Sequence, residues 1–355
     1  MITLILVIIV ISLLILVHEW GHFYSARKFG VKVEEFGFGF PPRVFSRVKN
    51  GIRYSFNLLP FGGFVKIFGE HGEGEGSRDS FISRPAWQRF TILVAGVFMN
   101  LVLAWFFFSV GSAIGTPQVS DEGEGDAPVS IIGIMPGSPA EGAGLKFGDQ
   151  IIEMKGAGIS LKIGSEKDVK DFVDAYRGEE ITLILRRAKE TKEIRAIPRL
   201  QAPEGEGPLG IALARLVIRR TPFYLAPIEG ARILGRSVMA TAEGLWMLVR
   251  ELVVEGKTSA AVSGPIGIFF FAEDTRSLGI SYFIQFVGLL SVNLAILNFL
   301  PIPALDGGRI LFLAIEKIKG SRIDPKVENF AHTLGFALLV LLMIAVTYRD
   351  IVRIL

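Results

Sequence analysis

The stretch Ile2–Tyr24, ITLILVIIVISLLILVHEWGHFY, decides how the rest of the chain is read. Residues Ile2 to Val17 are apolar except Thr3 and Ser12. A membrane-crossing helix needs about 20 such residues, so this one has to run on through His18-Glu19-Trp20-Gly21-His22. No basic segment precedes it and no small-residue cleavage site follows, which predicts a retained span rather than a removed signal peptide. On a helix His18 and His22 stand one turn apart on one face, so both imidazoles can reach one Zn2+. Glu19 is one residue round, placed to hold a water on that ion and take its proton. At about 1.5 Å per residue, His18 lies about 24 Å along a hydrocarbon core about 30 Å thick. Ionisable residues at that depth are expensive and functional by default.

Composition agrees with a membrane setting. Half of the 355 residues are hydrophobic and 21% are charged, against about 25% charged in soluble domains; mean hydropathy is +0.46. The net charge of +3 calls for no nucleic-acid partner. The absence of Cys excludes disulfides, a Cys-ligated zinc site, iron–sulfur clusters and a Cys nucleophile. Three further apolar runs, Phe90–Ile114, Tyr282–Leu300 and Phe330–Tyr348, bring the spans to four. The loops after spans one and three are rich in Lys and Arg, which by the positive-inside rule places both in the cytosol. Both termini and the long segment 115–281 then face outside. Spans one and three run the same way, so their C-terminal ends share a leaflet.

The sequence divides as follows: a first span with the His pair in 1–25, a cytosolic or membrane-reentrant β region in 26–89, and the second span in 90–114. In the first loop, Lys49-Asn50-Gly51 between Val44–Val48 and Ile52–Leu58 predicts a β-hairpin, Asn-Gly being the strongest short hairpin signal. The glycine-rich apolar stretches Phe36–Phe40 and Pro60–Val65 suit strands at membrane depth. Glu70–Ser77 reads as a flexible linker, with His71 a solvated loop residue. Residues 115–220 read as an acidic linker, Thr116–Pro128, and an α/β unit. Within that unit Val169, Phe172, Val173 and Tyr176 form a helical stripe, and Ile181, Leu183 and Leu185 alternate as a strand. Residues 221–281 form an amphipathic helical linker, for either the membrane surface or the α/β unit. The third span is 282–300; 301–329 is an Asp-containing loop with a cytosolic helix, and 330–355 holds the fourth span.

Catalytic zinc takes three protein ligands and an open position, and no third His follows the pair closely. His332, at the start of span four, reads as a polar interfacial residue. The better candidate is Asp306, just after span three in Asn298-Phe299-Leu300-Pro301-Ile302-Pro303-Ala304-Leu305-Asp306-Gly307-Gly308, because span direction puts it in the leaflet of His18 and His22. It also suits the N-cap of the helix that follows.

Pro136-Gly137-Ser138-Pro139-Ala140, then Ala143-Gly144-Leu145 and Gly148-Asp149, resemble a PDZ domain, which captures extended peptides by strand addition. Leu209-Gly210-Ile211 would match its carboxylate-binding loop. The HExxH pattern in span one, this unit between spans two and three, and N-x-x-P-x-P-x-L-D-G-G after span three together resemble the site-2 protease family of intramembrane zinc metalloproteases in its bacterial, RseP-like form. The resemblance implies His18, His22 and Asp306 as ligands of Zn2+, Glu19 as catalytic acid/base and Asn298 as a substrate-backbone contact. Gly96-Val97-Phe98-Met99-Asn100 resembles the family's G-P-x-x-N motif, with Val97 in place of the usual Pro. Asn100 or Asn298 could donate to a substrate carbonyl or oxyanion.

The fold expected is therefore an α-helical polytopic membrane protein with four transmembrane helices, a membrane-associated β-hairpin and an inserted extracytoplasmic α/β PDZ domain. Its setting would be the bacterial inner membrane, with the active site near the cytosolic leaflet and the lipid bilayer as solvent. Its expected partners are single-span membrane protein substrates, unwound and paired along Gly62, Gly63, Phe64 and Val65, and peptide termini at the PDZ domain. The competing classes are a catalytically inactive PDZ-bearing scaffold, which should lack a ligand or the base, and a divalent-metal transporter, which should line several spans with polar residues. One topological outcome follows from the charge pattern: reporters fused at Gly164 and Gly320 should report opposite sides of the membrane, and the same side for both would overturn the shared-leaflet argument.

Overall fold

A computed structural model describes residues 2–70, 72–120, 127–188, 190–203, 205–255 and 264–354. His71, read above as a loop residue, and 121–126 of the acidic linker lie outside the described residues. In chain order the elements are α1 (Ile2–Lys28), β1 (Val33–Lys49), β2 (Ile52–Ile67), α2 (Ala86–Ile114), β3 (Thr116–Val119), β4 (Val129–Ile134), α3 (Pro139–Gly142), β5 (Gln150–Gly156), β6 (Ile159–Lys162), α4 (Glu166–Ala175), β7 (Ile181–Arg187), β8 (Glu190–Ala196), β9 (Ile211–Arg219), α5 (Ala226–Arg250), α6 (Pro265–Leu278), α7 (Ile280–Phe299), α8 (Asp306–Lys319) and α9 (Pro325–Ile354). They fall into two units, one of Met1–Val110, Pro227–Phe269 and Phe286–Leu355, the other of Gly111–Ala226 and Phe270–Gln285.

The first unit holds the bulk of the apolar helices. Among the described residues four helices are long and apolar enough to cross a membrane: Ile2–Lys28, Ala86–Ile114, Ile280–Phe299 and, within α9, Pro325–Val352. In α9 the side chains of Phe330, Phe336, Leu341 and Ile344 are all more than half exposed. Such a surface is untenable in water and ordinary in lipid. Helix α9 begins before its apolar run, in a polar first turn: the Asp324 carboxylate accepts from Lys326 N–H at 2.8 Å, and Pro325 occupies the first helical position, where no N–H is needed.

Strands β1 and β2 pair antiparallel around the Asn50-Gly51 turn, where both residues have positive φ. Phe36, Gly37 and Phe38 of β1 each pair twice, with Tyr54, Ser55 and Phe56 on one edge and with Val65, Phe64 and Gly63 on the other. The start of β1 is thus flanked on both sides by β2. Its base packs on α1 and α2 through Ala26, Val33, Ile67, Ile92 and Leu93.

Helix α5 continues through Gly244. Ile233, Leu234 and Val238 pack on Ala104 and Phe108 of α2 and Val292 of α7, and Thr241 donates to Asn293 at 3.0 Å. Sequence pattern left its apolar stripe a choice between membrane surface and α/β unit; its apolar partners are membrane-length helices.

The second unit is built on a seven-stranded antiparallel sheet of order β3-β9-β4-β5-β7-β8, with β6 on β5. Ile131, Met154, Ile181, Leu183 and Leu185 are fully buried and pack on Val169, Phe172 and Val173 of α4. Ser165 caps α4 in a reciprocal box with Asp168, whose carboxyl is held below its usual range by the Gly164 N–H first and by Ser165. Asp149 is fully buried, and Arg187 grips both its oxygens at 2.7 Å. Thr116–Val119, inside the stretch that composition reads as linker, is a strand on β9. Its partners lie about a hundred residues away, beyond the reach of local pattern.

Candidate metal centre

Two helices and one interrupted loop bring three side chains together. His18 and His22 lie on the inner face of α1 and are both buried. Their Nε2 atoms are 3.1 Å apart. Asp306 is the first residue of α8, and Leu305, not Asp306, is the N-cap. Freed from capping, the Asp306 carboxylate turns inward: Oδ2 lies 2.9 Å from His18 Nε2 and 3.2 Å from His22 Nε2. These three are a group of His and Asp whose geometry could hold a metal ion.

The fit can be tested on protonation. His22 Nδ1 is 2.8 Å from the Ile92 carbonyl oxygen, which only accepts, so Nδ1 carries the proton and a neutral ring presents a lone pair at Nε2. Asp306 Oδ2 is buried and receives no hydrogen bond. Acceptor therefore faces acceptor, a contact that a cation relieves. Three ligands at tetrahedral corners, 2.0–2.1 Å from zinc, are about 3.3 Å apart, close to the separations observed. Two neutral imidazoles and one carboxylate are also a ligand set that catalytic zinc accepts.

The loop before Asp306 is shaped by close contacts. Pro301 and Pro303 interrupt the chain after α7, and Ala304 has φ +81°, a region that costs a non-glycine residue about 1 kcal/mol or more. His332 holds this residue: its Nδ1 accepts from Ala304 N–H at 2.9 Å. A Cβ on Gly307 would lie 2.1 Å from Leu300 O, and one on Gly308 2.5 Å from Ile302 O. Only glycine lets the first turn of α8 tuck under the loop. Farther along, Glu316 of α8 accepts from Arg89 of α2 at 2.7 Å with both side chains nearly buried, and Arg309 pairs with Glu70.

The remaining candidates are spread around this centre. Glu19 is half-buried, and its Oε2 accepts from Val65 N–H at 3.0 Å. The same segment of β2 is stitched to α1 about two helical turns earlier, where Ser12 donates to Pro60 O at 2.6 Å and Gly62 N–H lies 3.4 Å from Ser12 Oγ. Gly62 and Gly63 are buried, and Phe64 and Val65 half-buried. Asn100 is fully buried, its carboxamide 3.2 Å from His18 Nδ1. Asn298 is half-buried in the last turn of α7.

Sequence reasoning missed the Ile92 carbonyl and the roles of Gly96 and His332. A main-chain oxygen has no sequence signal. Gly96 had one, its four-residue spacing from Asn100 on the helix that faces the His pair. A Cβ there would lie 2.3 Å from His22 Nε2 and 2.8 Å from His18 Nε2. Gly96→Ala should therefore leave α1 and α2 folded, by circular dichroism, yet weaken binding of a Co2+ or Zn2+ probe at least 10-fold; wild-type affinity would show that the imidazoles meet no ion on the Gly96 side.

Comparison with known proteins agrees with this geometry. A family model described as Peptidase family M50 matches residues 6–342. A Clostridium acetobutylicum protein, provisionally named a zinc metalloprotease, is 32% identical over 349 residues, covering 98% of this chain and 97% of its own. A similarly named protein of Fusobacterium nucleatum is 33% identical over 358 residues, covering 98% of each. The zinc metalloprotease RasP of Oceanobacillus iheyensis is 28% identical over 436 residues and 99% of each chain. With two His of a membrane-length helix and an Asp at the start of α8 converging, and a family match along nearly the whole sequence, the chain belongs to peptidase family M50, the site-2 type of metalloprotease.

Proposed function

We propose that this chain is a zinc-dependent intramembrane endopeptidase that cuts single-span membrane proteins within or near their transmembrane segments. The observation that carries this reading is the convergence of His18 Nε2, His22 Nε2 and Asp306 Oδ2 within 3.2 Å of one another. The three residues hold Zn2+, as the names of the relatives suggest. When bound, zinc acts as a Lewis acid on the scissile carbonyl and acidifies an attacking water.

The chain's own groups do the rest. Glu19 is the acid/base: one carboxylate oxygen is held by Val65 N–H, which leaves the other to take the proton of water and deliver it to the leaving amine. A helical substrate hides its peptide bonds in its own hydrogen-bond ladder, so it has to be held extended. The Gly62-Gly63-Phe64-Val65 segment lies beside Glu19 and is the surface for that pairing. Asn298 contacts the substrate backbone.

Orientation follows from the basic loops: termini and the β-sheet unit outside, the metal centre near the cytosolic leaflet of a bacterial inner membrane. The sheet unit acts as a PDZ domain. In its support, a groove between α4 and β9 is lined by Val169, Val173 and Arg177 on one side and Leu209, Gly210 and Ile211 on the other. An extended peptide end can lie there beside Ile211. The unit docks substrates or sorts them by size.

The test is Glu19→Gln. Gln keeps the shape of Glu but cannot carry a proton between water and amine, a loss of about 10²–10⁴-fold. Cleavage of a single-span peptide in detergent should fall by at least that factor, zinc content should stay at wild type, and uncut substrate should co-purify. Near-normal turnover would remove Glu19 from the chemistry. Loss of zinc would make it a ligand.

A further inference from the structure

Helix α2 presents a straight stripe to the two His residues. Ile92, Gly96 and Asn100 are spaced by four, one helical turn each. The lowest supplies a carbonyl to His22 Nδ1, the middle one makes room, and the highest meets His18 Nδ1. The first contact fixes which nitrogen of His22 carries the proton. The third is its counterpart, since a ring that gives its Nε2 lone pair to a metal must carry its proton on Nδ1 and needs an acceptor there.

Asn100 is the only described residue with a hydrogen-bond contact to His18 Nδ1, its amide Nδ2 facing the ring nitrogen at 3.2 Å. It is fully buried, and its Oδ1 has no hydrogen-bond partner. The nitrogen and oxygen of a carboxamide exchange places by a half-turn about the last bond, and which end faces the ring is set by the proton on the ring. Its backbone is not free to drift: Ser291 of α7 donates to Asn100 O at 2.7 Å.

We propose that Asn100 is a positioning residue for the metal centre: its carboxamide oxygen accepts from His18 Nδ1–H and so holds His18 in the tautomer whose Nε2 binds zinc. The proposal rests on the reading of His18 as a ligand. It gives Asn100 a role behind the imidazole rather than against substrate, where sequence alone had set it. It also accounts for the residue type. A neutral carboxamide serves a ring nitrogen with or without its proton by turning over, Asp serves only the protonated nitrogen, and Leu serves neither.

Full-length protein labelled with 15N-histidine and loaded with zinc gives the direct test. The His18 Nδ1 resonance should show a protonated nitrogen and Nε2 a metal-bound one; an unprotonated Nδ1 would overturn the proposal without any mutation. Competition with a chelator gives the second. Asn100→Leu should bind zinc 10–100-fold more weakly, and Asn100→Asp should bind within a few-fold of wild type. Wild-type affinity in Asn100→Leu, or equal weakness in both, would reduce Asn100 to packing. His18→Ala separates the two levels: if it binds zinc as tightly as wild type, the ligand assignment itself falls, whatever Asn100 does.

Discussion

One carboxylate oxygen facing two imidazole nitrogens inside apolar helices is the contact on which the proposed site depends. Left to themselves these groups repel or demand protons, and in hydrocarbon no water relieves them. A divalent ion of tetrahedral habit removes the conflict. The surrounding structure keeps the three groups close enough for that ion to matter. His18 and His22 share one helix face, so their separation is fixed by helix geometry. Asp306 comes from a distant part of the chain and has to be brought in and held.

The holding is done by backbone shape and by charge at the edge of the bundle. The prolines after α7 break the helix, His332 fixes the loop at Ala304, and Gly307 and Gly308 let α8 begin directly beneath it. The Arg89–Glu316 pair ties α8 to α2, the helix that also backs the His pair. Breaking such a nearly buried pair leaves an uncompensated charge and costs about 3–5 kcal/mol. Asp306, its loop and the backing helix are thereby coupled. On the other side of α1, β2 reaches Glu19 through Val65, so the strand proposed to align substrate also orients the proposed base. The proposed pairing surface and the proposed base thus meet on one backbone segment.

Much of this was legible in the sequence. The HEWGH run within an apolar span marks two candidate ligands and a candidate base because helical spacing converts position into geometry. Asp306 was reachable from the expected span direction, since the basic loops predict how the spans run and that direction decides which ends meet. The hairpin was legible from Asn50-Gly51. What escaped depends on long-range packing. β3 needs β9 as partner, and the face of α5 needed α2 and α7. Gly96, Ile92 and His332 act through close approach or main-chain atoms, which residue type does not encode. Asp306 was read as suited to an N-cap. Leu305 takes that position with no side-chain cap, a local rule broken where the carboxylate has another use.

The proposed centre holds one ion between two imidazoles and one carboxylate. X-ray absorption at the zinc edge, on purified full-length protein loaded with one equivalent, tests it most directly. The expected spectrum has nearest nitrogen and oxygen atoms at about 2.0–2.1 Å, with the outer-shell scattering of two imidazole rings. An oxygen-only shell, or scattering from one ring or from three, would contradict it.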